Sequence, residues 1–127
     1  MFIQIEPELD IPIYAQLVSQ LIEAIARGNL TGGDSLPSVR SLAADLGMNM
    51  HTVNKAYHEL ERKEIIRIVP KSGAIINSLP QDGISGNHLE RISKEIKPII
   101  AEAIVLGMET KDINKLVTTI ISTIKGE

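Results

Sequence analysis

The sequence contains no cysteine, which excludes disulfides, thiolate metal sites and cysteine nucleophiles. Aromatic residues are almost missing: Phe2, Tyr14 and Tyr57 are the only three. The core must therefore be aliphatic, and a hydrophobic content of 43% is enough to build one. No run approaches the ~20 apolar residues of a membrane span. The start, MFIQIEPELD, lacks the basic residues and apolar stretch of a secretory signal. A cytoplasmic protein without membrane contact is expected. Catalytic patterns are missing too, since no Ser–His–Asp set or carboxylate pair stands at a spacing that carries a mechanism. His51, His58 and His88 lack the i, i+4 pair that places two imidazoles on one ion. No enzyme activity, metal or cofactor is expected.

What is present is a chain of 127 residues, enough for one compact domain and a small appendage. The net charge of −3 argues at first against nucleic acid. Its distribution changes that view. Residues 1–36 carry one basic and five acidic side chains, residues 37–79 six basic and four acidic, and residues 80–127 six and seven. The middle of the chain is thus the positive part of an acidic protein, and local potential decides where phosphate docks.

Residues 38–63, SVRSLAADLGMNMHTVNKAYHELERK, organise the rest. They read as two helices joined by a tight turn. Ser38 caps the first helix, whose buried face is Val39, Leu42, Ala43 and Leu46, and Gly47 ends it. Asn49 caps the second. Val53, Ala56, Tyr57 and Leu60 share one face of that second helix, with Tyr57 packing and its hydroxyl at the edge. His51, Asn54, Lys55 and His58 share the opposite, polar face, as a helix entering a DNA groove requires. Two short helices joined by a glycine-containing turn are the helix-turn-helix pattern. Two short β runs follow, residues 65–69 (IIRIV) and 74–77 (AIIN), separated by a Pro70–Lys71–Ser72–Gly73 turn. A hairpin in that place makes the winged form, with Lys71 able to reach phosphate or the minor groove.

Upstream, residues 1–12 read as an extended arm that can hold a short strand, with Phe2, Ile3 and Ile5 alternating loosely with polar residues. A helix then begins near Asp10 or Ile11, with Pro12 at an early position, and runs to Arg27–Gly28. Its apolar stripe is Ile13, Leu17, Leu21, Ile22 and Ile25, and it reads as core scaffold. Ser35 and Leu36 can form a one-bridge strand. Downstream, residues 79–87 (LPQDGISGN) read as a linker. Leu89, Ile92, Ile96, Ile99, Ile100, Ala103 and Ile104 then follow helical spacing, with a kink or break expected at Pro98. Thr110 can cap a last helix carrying Ile113, Leu116, Val117, Ile120, Ile121 and Ile124. Two amphipathic helices after a linker need a surface to bury against, either the winged domain or the same helices of a second copy. The fold class expected is mainly α with a small β-hairpin. A winged helix-turn-helix domain over residues 1–78 is followed by a helical tail over residues 88–127.

The motifs GDSLPSVRSLAADLG, NMHTVNKAYHELER and KSGAII, with IPIYAQLVSQLIEAIARGNL upstream, resemble the DNA-binding domain of GntR-type bacterial transcription regulators. The asparagine before the recognition helix, the TVNKAY run and the two-helix tail resemble the YtrA subfamily in particular. The resemblance implies a homodimeric, sequence-specific DNA-binding repressor that answers to a small ligand. It also implies control of an adjacent ABC-transporter operon. It assigns DNA contacts to Arg40, to Met50, His51, Thr52 and Asn54, and to the wing tip Lys71, Ser72 and Gly73. Lys55 is a further phosphate candidate. Dimerisation falls to Ile92, Ile96, Ile99, Ile100, Ile104, Ile113, Leu116, Val117 and Ile120. The chain departs from the family pattern in three places. Glu64 stands where many members have glycine after the recognition helix. Lys71 takes the first glycine site of the wing, and Met50 stands where some relatives carry arginine.

Arg40 can clamp phosphate or a guanine edge with its planar fork; the alternative is a surface arginine near Asp34 or Asp45. Asn54 has the donor–acceptor pair that matches adenine, and His51 lies one turn away, so both can point into one groove. The acidic total charge keeps a second reading open, a winged helix that binds protein instead of DNA. That reading predicts weak, salt-insensitive affinity for duplex.

Overall fold

In the computed structural model, which describes residues 3–127, the first helix α1 (Ile13–Ala26) begins directly after Pro12. The proline is the cap, where its missing N–H is no loss, and it stands outside the helix and not at an early position within it. Leu17 and Leu21 are fully buried. Ile13 is exposed because it lies in the first turn, and Val18, off the expected stripe, is buried in its place. The chain leaves through Arg27 and a left-handed Gly28.

The helix-turn-helix is α2 (Val39–Leu46) and α3 (Met50–Arg62). Ser38 Oγ accepts the Ser41 N–H at 3.1 Å, and Asn49 Oδ1 accepts the His51 N–H at 2.7 Å, so each helix has the cap its sequence offers. Between them Gly47 turns the chain in the left-handed conformation. Val53, Ala56, Tyr57 and Leu60 all lie fully buried against α1 and α2.

The sheet has three strands, β1 (Ser35–Leu36), β2 (Ile66–Val69) and β3 (Gly73–Ile76), with β3 in the middle and both neighbours antiparallel to it. β1 pairs Ser35 with Ile75 and Leu36 with Ala74. The wing therefore carries the segment that precedes α2 as its third strand. Ile66, Ala74 and Ile76 send their side chains into the same core as Leu36 and Leu60. Two non-glycine residues have positive φ among the described residues, Glu64 (φ 60) and Lys71 (φ 64). These are two of the departures from the family pattern, and each carries a left-handed penalty of roughly 1–2 kcal/mol.

Of the expected arm, Met1 and Phe2 lie outside the described residues. The rest is fixed along α1 by two glutamines. Gln16, buried, accepts the Glu6 N–H and donates to the carbonyls of Glu6 and Ile11, all at 2.9 Å. Gln20 accepts the Gln4 N–H at 2.8 Å and donates to the Gln4 carbonyl. The two amides thus supply the arm's backbone with partners that a neighbouring strand would otherwise give.

This unit ends at Leu79, and a second runs Pro80–Glu127. It consists of α4 (Gly86–Val105) and α5 (Thr110–Lys125), and no residue of either is buried. Three expectations need correction here. Ser85 accepts the His88 N–H at 3.2 Å and starts α4 at Gly86, so Gly86 and Asn87 are helical and not linker. Of the kink or break expected at Pro98, the break is absent: the proline removes one donor, the partner of the Lys94 carbonyl, and α4 continues on both sides of it. Thr110 is the first residue inside α5, not its cap. Glu109 takes that place, and its N–H donates to Asp112 Oδ2 at 3.3 Å.

Candidate nucleic-acid interface

The site is built around Leu36 and Pro37, where β1 leads into α2. From the recognition helix, Tyr57 Oη donates to the Pro37 carbonyl at 2.7 Å. The tyrosine hydroxyl is therefore inside the fold and not at its edge, and burial pushes its pKa up to about 12. From the wing, Gly73 (φ +103) approaches so closely that a Cβ would overlap the Leu36 carbonyl oxygen. The Leu36–Pro37 segment is thus held from both sides, and the helix that starts at Val39 is aimed by the two elements that flank it. Arg40, exposed, stands in the first turn of that helix.

An open groove of about 620 Å³ lies between the starts of α2 and α3 and the wing. It brings together Arg40, Met50, Asn54 and Lys71 over a wall formed by Val39, Ile68 and Val69. A second, shallower depression of about 350 Å³ opens beside α3, lined by Ile13, Tyr14, His51, Thr52 and Lys55. His51 and Asn54, one turn apart, thus open onto different hollows. Lys55 Nζ lies 4.1 Å from the centre of the Tyr14 ring, a cation–π contact that holds an exposed lysine in a set direction. His58 is exposed further along α3. Of the wing tip, Lys71 and Ser72 are exposed, while Gly73 is buried beneath β1.

The cations divide by place. Arg27 pairs with Glu23 and Arg62 with Glu59. The side chains of Arg40, Lys55, Lys63, Arg67 and Lys71 form no ion pair or hydrogen bond among the described residues. Neither Asp34 nor Asp45 engages Arg40: the Asp34 carboxylate accepts from Thr31 instead. Of the carboxylates nearest the wing, Glu61 accepts the Ile68 N–H at 2.9 Å and so ties α3 to β2.

Sequence reasoning missed the roles of Gln16, Gln20, Tyr14 and the Tyr57 hydroxyl. The one available signal was a tyrosine in a stripe otherwise made of aliphatic residues. The others rest on pairings with residues well outside their own helical turn, up to Tyr14 with Lys55, which no local pattern announces. Among the described residues no group of three His, Cys, Asp or Glu side chains is placed to hold a metal, and no helix is long and apolar enough to cross a membrane.

A capped helix pair, a three-stranded wing and a groove between them define a winged helix-turn-helix protein. Residues 13–76 match the family described as bacterial regulatory proteins, gntR family, and the chain belongs to that family. It is similar to the HTH-type transcriptional repressor YtrA of Bacillus subtilis (strain 168), with 35% identity over 98% of this chain and 95% of that protein. A crystal structure described as a transcriptional antiterminator from Listeria monocytogenes EGD-e superposes with a TM-score of 0.89. It is 33% identical and covers 100% of this chain and 94% of its own. YtrA from Sulfolobus acidocaldarius, described as a GntR-family transcription factor, gives a TM-score of 0.58 at 37% identity, with 95% and 97% covered. The protein is a GntR-family DNA-binding transcriptional regulator of the YtrA type. That membership decides for DNA over the protein-binding reading of the winged helix.

Proposed function

We propose that the chain is a homodimeric repressor that binds an inverted-repeat operator, one recognition helix to each half-site. The observation that carries this reading is the groove in which Arg40, Met50, Asn54 and Lys71 meet, with both cations unpaired. Unpaired cations on an open face displace condensed counterions when they meet phosphate. Arg40 takes phosphate or a guanine edge, and Asn54 takes adenine through its paired donor and acceptor. On the other flank of α3, Lys55 and Thr52 serve the backbone and His51 the base edges. Lys71 and Ser72 extend the contact from the wing, and Gly73 supports their turn.

The tail supplies the second copy. Ile92, Ile96, Ile99, Ile104, Leu116, Val117 and Ile120 are exposed at helical spacing, and Ile100 and Ile113 are half-buried beside them. Faces of that kind are covered by a partner, and a two-fold arrangement of this chain with itself needs no other protein. Residues 1–78 then act as the DNA-binding part and the helices from Gly86 onward as the dimerisation and effector part. A dimer of reading heads fits half-sites about one or more helical turns apart. Repression follows from excluding polymerase, and the B. subtilis relative's description as a repressor supports that sign. Control of an adjacent ABC-transporter operon by a small ligand extends the same reading.

A footprint on the DNA upstream of the protein's own operon tests it. A protected inverted repeat is the expected result, with log affinity falling against log salt by about 0.9 per phosphate neutralised. A palindrome left unprotected at low salt by pure dimer would contradict the proposal.

A further inference from the structure

Phosphate contacts do not account for the apolar side of the groove. Met50 is the first residue of α3 and is 43% exposed. It has no part in the hydrophobic core. Its neighbours on the recognition helix are polar: His51, Thr52 and Asn54. Yet Met50 lines the same groove as Asn54, with Val39, Ile68 and Val69 in the walls and the cations Arg40 and Lys71 at the same opening. An apolar side chain set among unpaired cations suits a ligand that is itself an anion with an apolar point. Duplex DNA offers such a point in only one base. Thymine presents a 5-methyl group in the major groove, and apolar side chains are what read it.

Resting on the DNA-binding reading above, we propose that Met50 is a specificity-determining residue that packs on the 5-methyl of a thymine in each half-site. The thioether is unbranched and polarisable, so it can follow the methyl without an imposed rotamer. Met50 and Asn54 are four residues apart on one helix face, a rise of about 6 Å along the axis. Successive base pairs are spaced by about 3.4 Å. The thymine therefore lies within about two base pairs of the adenine taken by Asn54.

The experiment begins with duplexes selected from a random-sequence library by the full chain. The selected duplex is then remade with deoxyuridine in place of one thymidine at a time, symmetrically in both half-sites. This removes the methyl and leaves every base-pair hydrogen bond in place. At one position the affinity should fall about fourfold per half-site, the equivalent of one buried methyl group. In Met50→Ala that sensitivity should vanish, and Met50→Arg should select guanine at the same position. Arg40→Ala should weaken binding to both duplexes and leave their ratio unchanged. Uracil without effect at every position would overturn the inference while leaving the DNA reading intact. A uracil effect that persists in Met50→Ala would overturn the assignment to Met50. If no sequence were enriched at all, the sequence-specific reading itself would fall, and this inference with it.

Discussion

The two halves of the chain use the same sequence device and reach different ends. In the first, Leu17, Leu21, Val53, Tyr57 and Leu60 recur at helical spacing and are fully buried. In the second, Ile92, Ile96, Ile99, Leu116 and Ile120 recur at the same spacing, and every one is exposed. The last fully enclosed apolar side chain of the sequence is Ile76. An apolar stripe therefore marks a need for burial and does not say whether the chain itself meets it. The winged unit meets it with three helices and a sheet around one core. In the two tail helices no side chain is buried, and the second copy proposed above would supply the cover.

Substitutions in the two stripes should break this comparison in opposite ways. Leu60→Ala should cost about 2–5 kcal/mol, because a fully buried side chain leaves a cavity. Thermal or urea unfolding would show it, and duplex binding should fail with the fold. Ile96→Asp combined with Ile120→Asp should leave the winged unit's melting unchanged and separate the dimer. Losing the second reading head removes an avidity of about a hundredfold or more, read as duplex affinity by gel shift or anisotropy. Arg40→Ala should touch neither core nor dimer. It should lower operator affinity by at least about tenfold, the loss of about 1.4 kcal/mol, at an unchanged melting temperature and mass.

A smaller effect sharpens the picture inside the winged unit. Tyr57→Phe removes the hydrogen bond to Pro37 and should cost about 1 kcal/mol at neutral pH. Its pH dependence has a defined sign. The folded-state pKa stands at about 12 against an ordinary 10.0, so the unfolded chain gives up this proton first. The stability linked to Tyr57 is present below pH 10 and is lost as pH rises towards 12. In paired unfolding titrations, the gap between the parent and Tyr57→Phe should close over that window. A gap that stays constant would contradict the buried, protonated hydroxyl.

Much of the fold was legible because it rests on short-range rules. Ser38 and Asn49 cap their helices as their side chains allow, and all four residues of the buried face of α3 follow from periodicity. The winged pattern and its motifs are enough in themselves to point to the family. The illegible parts are contacts between distant segments. Nothing local says that Gln16 replaces a strand for the arm, that Tyr14 holds Lys55, or that Tyr57 and Gly73 grip the Leu36–Pro37 segment. Those contacts set where Arg40 and Lys55 stand. Residue types alone thus pointed to the candidate site, and its geometry came from the packing behind it. Pro98 makes the complementary point: a strong local breaker was overruled by the helical turns on either side.

In the proposed dimer the exposed tail brings two reading heads to one duplex. The most direct measurement is sedimentation equilibrium of the full chain, free and bound to the protected operator fragment. The expected result is a species of twice the 13.9 kDa chain mass without DNA and two chains per duplex with it. A free monomer at micromolar concentration that binds the fragment one to one would contradict it.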